Sequence, residues 1–241
     1  MTNFRIAEER CLRLFDSLSP VWHLYTSENH DIIYNTKEDY ITGMYIVAYC
    51  AKSSPGINIL TFTLMSNHVH FALAGKEEVV MDFFENYKKL VRKMLKQNNR
   101  PNLLTNFNAK LKLIDNCEYL RKVIIYINRN GYVARRDVTP ISYQWGSGAF
   151  FFTPYAEKLF FISKEKTTIY EWRRILHSHI ADRLDPMIKI DKYPCPLNYC
   201  STKTAELIYR DAVHYFHYLC KGVESSKEIS KEIEVTLSGE F

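Results

Sequence analysis

The chain has 241 residues, of which 46% are hydrophobic and 24% charged, enough for one substantial domain with an appendage or for two small domains. That composition excludes a disordered or fibrous chain and is ordinary for a soluble globular protein. The formal net charge of +5 leans towards a polyanionic partner without deciding for one.

Six cysteines occur without a C-x-x-C pair, so they read as reduced thiols rather than as a zinc knuckle or a disulfide framework. Arg5, Glu8, Glu9, Arg10, Arg13 and Asp16 deny the first twenty residues the apolar centre of a signal peptide. No apolar run approaches the length of a membrane span. The expected setting is the cytoplasm, with no membrane partner.

In chain order, Val21 to Tyr25 is short, apolar and aromatic, and precedes turn material at Asn29-His30-Asp31, which predicts a first strand. After Thr36, apolar residues recur at three and four positions (Ile41, Met44, Tyr45, Ala48, Tyr49) until Ser53-Ser54-Pro55-Gly56, the signature of a helix. Ile57 to Met65 and His68 to Ala74 form a predicted hairpin about Ser66-Asn67. Glu77 to Asn98 is again helical, with Phe83, Phe84, Tyr87, Leu90, Val91, Met94 and Leu95 on one side, closed by Arg100-Pro101-Asn102. Phe107 to Ile114 alternates as a strand. Asp115 with Glu118 then reads as an N-cap and its reciprocal partner, opening a helix that runs to Asn130-Gly131.

Strand, helix, hairpin, helix, strand, helix predicts an α+β fold: a ferredoxin-like antiparallel sheet with its helices on one face. The domain expected to carry the chemistry spans residues 1–155. Residues 156–241 form a C-terminal helical extension of unread role, with helices over Thr168 to Ile180 and Thr204 to Cys220 and a charged tail over Glu224 to Glu234.

The sharpest chemical feature is Asn67-His68-Val69-His70-Phe71. Residues i and i+2 of a strand share a face, roughly 7 Å apart, so two imidazoles can pinch one divalent cation while Val69 and Phe71 anchor the strand from its other face. Taken alone, the pattern favours two solvent-facing histidines over a metal site. His177-Ser178-His179 is a second H-x-H, but it follows a helical pattern, where such neighbours point apart, and it reads as structural. His214 and His217 sit three apart on another predicted helix without a carboxylate or cysteine beside them. On the helix from Cys117, the stripe Leu120, Val123, Ile124 and Ile127 is flanked by a column of Tyr119, Tyr126 and Asn130. From this helix alone, a boundary tyrosine packing its ring and wetting its hydroxyl explains Tyr126 better than a reactive role does.

Taken together, these features resemble the HUH single-tyrosine transposases, especially the REP-associated, insertion-sequence-200-like branch. Leu64-Met65-Ser66-Asn67-His68-Val69-His70-Phe71 resembles that family's M-P-N-H-x-H segment, and Tyr126-Ile127-Asn128-Arg129-Asn130 its Y-I-x-x-N. Asp115 to Leu120 continues the likeness, and Tyr143-Gln144-Trp145-Gly146-Ser147 is similar to its Y-x-W-S-S. The resemblance covers roughly residues 20 to 153. Ser66 and Gly131 depart from the family's prolines, and Gly146 from its first serine.

The resemblance implies Tyr126 as the catalytic nucleophile and His68, His70 and Asn130 as ligands of Mg²⁺ or Mn²⁺. Its substrate would be single-stranded DNA folded into a hairpin, cleaved and rejoined through a 5′-phosphotyrosine. A homodimer is one assembly it allows. Lys122, one turn before Tyr126, is a candidate for helping the phenol lose its proton. Lys88, Lys89, Arg92, Lys93 and Lys96 fall within about 140° of helical arc and, with Lys122, are expected to bind DNA, although a solvated helix face explains the five equally. The rival readings are a domesticated, non-catalytic DNA-binding regulator on the same fold, a metal hydrolase of small molecules, and a replication initiator or relaxase. Length and strand order disfavour the hydrolase.

Overall fold

The computed structural model describes residues 3–27, 31–101, 104, 107–134, 138–153, 158 and 162–238. Helix α1 (Asn3–Leu18) precedes the chain order β1 (Val21–Thr26), α2 (Lys37–Ser53), β2 (Asn58–Leu64), β3 (Val69–Ala74), α3 (Glu77–Gln97) and β4 (Ala109–Ile114). The strands lie in the order β2-β3-β1-β4 with every neighbouring pair antiparallel. This is the ferredoxin-like arrangement that the sequence pattern predicts. The turn expected at Asn29-His30 and the residue Asn102 lie outside the described residues.

Period-two alternation divides the sheet into two unlike faces. Leu24, Phe62, Leu64, Val69, Phe71 and Leu73 point to one side, where Met44, Tyr45 and Val47 of α2 and Phe83, Phe84, Tyr87 and Val91 of α3 close over them. The expectation of helices on one face therefore holds for these two crossover helices. Helix α4 (Cys117–Ala134) covers the opposite face, packing Leu120, Val123, Ile124 and Ile127 against Val21, Leu60, Ala72, Ala74 and Ile114. The alanines of β3 are the physical reason, since small side chains let a helix approach the strands closely.

Helix boundaries follow local chemistry. Thr36 Oγ1 accepts from the Asp39 amide at 3.1 Å while Asp39 Oδ2 accepts from the Thr36 amide at 3.1 Å, a reciprocal cap for α2. The cap of α4 is Asn116 rather than Asp115, for Asn116 Oδ1 accepts from the Tyr119 amide at 2.7 Å. Glu118, expected to complete that cap, instead accepts from the Tyr218 hydroxyl at 2.7 and 2.8 Å. Helix α4 also runs past Gly131 to Ala134.

The edge of β2 is covered by the Tyr143 to Ser147 segment. Leu64 N donates to Trp145 O at 2.8 Å, Ser147 N donates to Phe62 O at 3.0 Å, and Tyr143 Oη donates to Leu64 O at 2.6 Å. A covered edge cannot template strand addition. Gly146 makes the approach feasible, because a Cβ there would lie 2.5 Å from Phe62 O.

The C-terminal region enters both cores rather than standing apart. Helix α5 (Ile169–Leu176) and the short ribbon β5 (Lys189–Ile190) and β6 (Tyr193–Pro194) bring Trp172, Leu176 and Tyr193 to the α2/α3 side. After α6 (Thr202–Glu206), Ile208 and Tyr209, with Tyr215 and Leu219 of α7 (Ala212–Ser238), join the α4 side. The predicted single helix from Thr204 to Cys220 is thus interrupted. Asp211 Oδ1 accepts from the His214 amide at 2.7 Å and starts a new helix there. The charged Glu224 to Glu234 stretch continues α7 as helix. Among the described residues, no helix is long and apolar enough to cross a membrane.

Gly131 tests this packing. A Cβ there would fall 2.1 Å from the Tyr143 ring, whose hydroxyl is tied to Leu64. Overpacking of this kind costs about 1–3 kcal/mol, more than the roughly 1 kcal/mol alanine contributes to a helix over glycine. Gly131→Ala is expected to lower the urea midpoint at unchanged m-value.

Candidate active site

The hairpin places its two histidines through its own alternation. Val69 and Phe71 are fully buried on the α2/α3 side, which sends His70 to the α4 face. His68 closes the turn, its carbonyl accepting from the Met65 amide at 2.9 Å. The two rings stand perpendicular with centroids 4.9 Å apart. Asn67 Oδ1 lies 2.8 Å from His68 Nδ1. An amide oxygen only accepts, so Nδ1 carries the proton and Nε2 is the basic nitrogen.

A third histidine completes the cluster. His23 and Tyr25 of β1 share the face of His70, Tyr25 being its register partner. His23 Nε2 is 3.2 Å from His70 Nδ1, so one of these nitrogens donates to the other. His70 Nε2 is buried and has no hydrogen-bond partner among the described residues. If Nδ1 donates to His23, that buried Nε2 carries the lone pair, the state a metal ligand requires. Burial, with the His68 and His23 charges behind it, lowers the His70 pKa to about 2. Burial, then Lys112, lowers that of His23 to about 4. Both rings are neutral at pH 7.

Tyr126 of α4 meets this cluster edge-on. Its ring centroid is 5.3 Å from that of His70 at 90° and 5.9 Å from that of His23 at 71°. It remains 39% exposed, so a solvent-borne group can reach the side chain. The Arg129 guanidinium lies 5.6 Å from the ring centroid and donates to Gly222 O. One turn after Tyr126, Asn130 is buried, and its Nδ2 has no hydrogen-bond partner among the described residues.

The structure therefore gathers His68, His70 and Tyr126, with Asn130 one helical turn on. Lys122 stands one turn before Tyr126, exposed and 3.5 Å from Glu118. The other expected DNA-binding residues are not gathered with them. Lys88, Lys89, Arg92, Lys93 and Lys96 belong to α3, across the sheet from Tyr126. Lys88 is buried and donates to Asn108 Oδ1 at 2.8 Å, and Lys93 donates to the His177 carbonyl at 2.9 Å. The His177-Ser178-His179 pair begins where α5 ends, with His177 left-handed at φ 46°, and His179 Nδ1 lies 3.1 Å from Asp182 Oδ2.

Sequence reasoning missed His23, Lys110 and Lys112, although the signal was there. The alternation that turns Ala109 and Leu111 inward turns Lys110 and Lys112 to the other face, opposite Tyr25 and His23 in register. The Lys112 ammonium lies 4.9 Å from the Tyr119 ring centroid. Among the described residues, no group of three or more His, Cys, Asp or Glu side chains is arranged to hold a metal ion. A donor set at this site would need the Asn130 amide. No protein-family model, curated protein or solved structure matches the chain.

The neutral histidines make the fold acid-sensitive. Both folded pKa values lie below the unfolded value of 6.5, so the unfolded chain takes up protons first as pH falls. This contribution to stability is complete above the unfolded pKa and is lost from about pH 6.5 downward. In chelator, the urea midpoint should fall between roughly pH 7 and pH 5, and less steeply in His70→Gln. An equal slope in the variant would remove the histidines as its cause.

Proposed function

We propose that the chain is a metal-dependent single-tyrosine DNA transposase, cleaving and rejoining single-stranded hairpin DNA through Tyr126. The observation that carries this reading is the exposed Tyr126 edge-on to His70, 5.3 Å between centroids, where His70 Nε2 is buried without a hydrogen-bond partner among the described residues. A tyrosine serving only to pack would not need a neutral histidine cluster under it.

The residues fit a divalent cation. Among the described residues, His70 Nε2 and Asn130 Nδ2 are buried without hydrogen-bond partners, His68 Nδ1 is held by Asn67 Oδ1 at 2.8 Å, and rotation of the Asn130 amide presents an oxygen where its nitrogen stands. His68, His70 and Asn130 would hold Mg²⁺ or Mn²⁺, which supplies Lewis-acid polarisation of the scissile phosphate when bound. The chain's own residues do the rest. Tyr126 Oη attacks phosphorus, a P–O(Tyr) bond forms as the P–O3′ bond breaks, and the departing 3′ oxygen takes up a proton to become a hydroxyl. The Arg129 guanidinium, 5.6 Å from the Tyr126 ring centroid, and the Lys122 ammonium one turn back on α4 stand where they can meet the charge of the phosphate. Because the phosphodiester energy is kept in the 5′-phosphotyrosine, the hydroxyl of another strand end reverses the step and joins new DNA.

A second reading, a DNA-binding regulator that performs no cleavage, is favoured by the absence of a third His, Cys, Asp or Glu ligand among the described residues. One assay separates the two. Protein is incubated with labelled single-stranded hairpins from the DNA flanking its own gene, with Mn²⁺ or Mg²⁺, and scored for a denaturant-resistant adduct. The expected result is an adduct that chelator abolishes and that Tyr126→Phe and His68→Ala reduce by at least about 10³-fold. Tight hairpin binding indifferent to chelator, with no adduct, would transfer the assignment to the regulator.

A further inference from the structure

Between α4 and α7, on the side of α4 turned away from the sheet, lies a cavity of about 580 Å³ with Tyr126 in its wall. The crossing that forms it is close, since a Cβ on Gly222 would meet Ile125 Cγ2 at 2.9 Å. Lys122 and Arg129 line it from α4, and Arg210 and Lys221 from the C-terminal region. Among the described residues, the one carboxylate in its wall is that of Glu118, already engaged by the Tyr218 hydroxyl and by Arg121 and Lys122. His214 Nδ1 accepts from the Arg210 amide at 3.2 Å, so its other nitrogen is the one that donates.

We infer that this α4–α7 cavity is a binding track for the phosphodiester backbone of single-stranded DNA, delivering the strand to Tyr126; the inference rests on the nuclease reading above. The wall carries four cations against one occupied carboxylate. They are spread lengthwise, because Lys122 and Arg129 are seven residues apart on one helix, roughly 10 Å of rise. A single small anion would meet only part of such a row, whereas a strand meets all of it. Tyr126 and the exposed ring of His217 offer faces on which unpaired bases stack. The basic face of α3 lies across the sheet from Tyr126. The C-terminal region thereby acquires a role: it builds half of the track.

The test measures binding apart from chemistry. Fluorescence anisotropy of a labelled oligo(dT) of about 12 nucleotides is followed in the full chain carrying Tyr126→Phe, with chelator present. Lys221 and His217 are exposed, so Lys221→Glu and His217→Glu leave the core intact, as circular dichroism will verify. Lys221→Glu is expected to weaken binding about tenfold at low salt and to reduce the salt slope by about 1, while Lys89→Glu on α3 changes neither. The inference is overturned if both cavity variants bind as the parent does, or if Lys89→Glu is the change that weakens binding. Displacement by millimolar pyrophosphate, or tighter binding of oligo(U), would equally overturn it, in favour of a small-anion or an RNA site. Failure of adduct formation with intact, Lys221-dependent binding would sink the nuclease reading and leave the track standing.

Discussion

Asn128 lies between the sheet and the C-terminal helix with both ends of its amide engaged. Its Oδ1 accepts from Thr61 Oγ1 at 2.5 Å and its Nδ2 donates to the Tyr215 hydroxyl at 3.0 Å. Thr61 Oγ1 is also 2.9 Å from Ser147 Oγ, which accepts from the Phe62 amide at 3.1 Å. All these groups are buried, and each left unpaired costs roughly 1–3 kcal/mol. Sliding α4 along the sheet would orphan several at once, so the network fixes one position for the helix. At 100° per residue, Asn128 flanks the apolar stripe of α4 on one edge, while Tyr126 and Asn130 flank it on the other. Pinning the first edge over β2 holds the second over β3 and β1, where His70 and His23 lie.

The same network joins three stretches distant in sequence. Thr61 comes from β2, Ser147 from the segment covering its edge, and Tyr215 from α7. The C-terminal region is therefore part of what sets the height of Tyr126, in addition to walling the cavity beside it. This explains why Tyr215 and Leu219 are buried with the α4 stripe although they follow a region of different texture.

Legibility in the sequence tracks how local the determining physics is. The βαββαβ core was readable because Thr36 caps its helix within four residues and because Val69 and Phe71 alternate with His68 and His70. His68, His70 and Tyr126 were readable as a group only through a resemblance, since nothing in spacing brings a helix at residue 126 over a hairpin at residue 70. The face taken by α4 was not readable. It depends on Ala72 and Ala74 leaving room, and small strand residues look the same whether a helix or water covers them. Helix α1 was legible in principle, since Ala7, Cys11, Leu14, Phe15 and Leu18 recur at helical spacing with the charges on the other side, but the burial of Cys11 and Phe15 comes from α4 and the C-terminal residues packed against it. The break before α7 turns on one side-chain oxygen of Asp211. The basic run on α3 was misleading for the opposite reason: charge density along a helix is visible in sequence, but the side of the sheet that receives the helix is not.

At this site two buried polar atoms lack hydrogen-bond partners among the described residues. Native structures satisfy nearly all of their buried polar atoms, and each exception asks for an account. His70 Nε2 and Asn130 Nδ2 are two such exceptions among the described residues, alongside atoms elsewhere such as Trp172 Nε1 and Tyr199 Oη; His70 lies under Tyr126, and Asn130 is on the edge of α4 that Asn128 fixes. If packing alone had shaped this face, apolar side chains of similar size would remove the penalty at no cost to the core, as they do along the rest of the stripe. A divalent cation would satisfy an unprotonated His70 Nε2, and Asn130 once its amide is rotated to present Oδ1. Burial, which makes them costly in its absence, also keeps the imidazole neutral and able to ligate. The cost and the neutrality thus have one origin, the burial of His70 where β1, β3 and α4 meet.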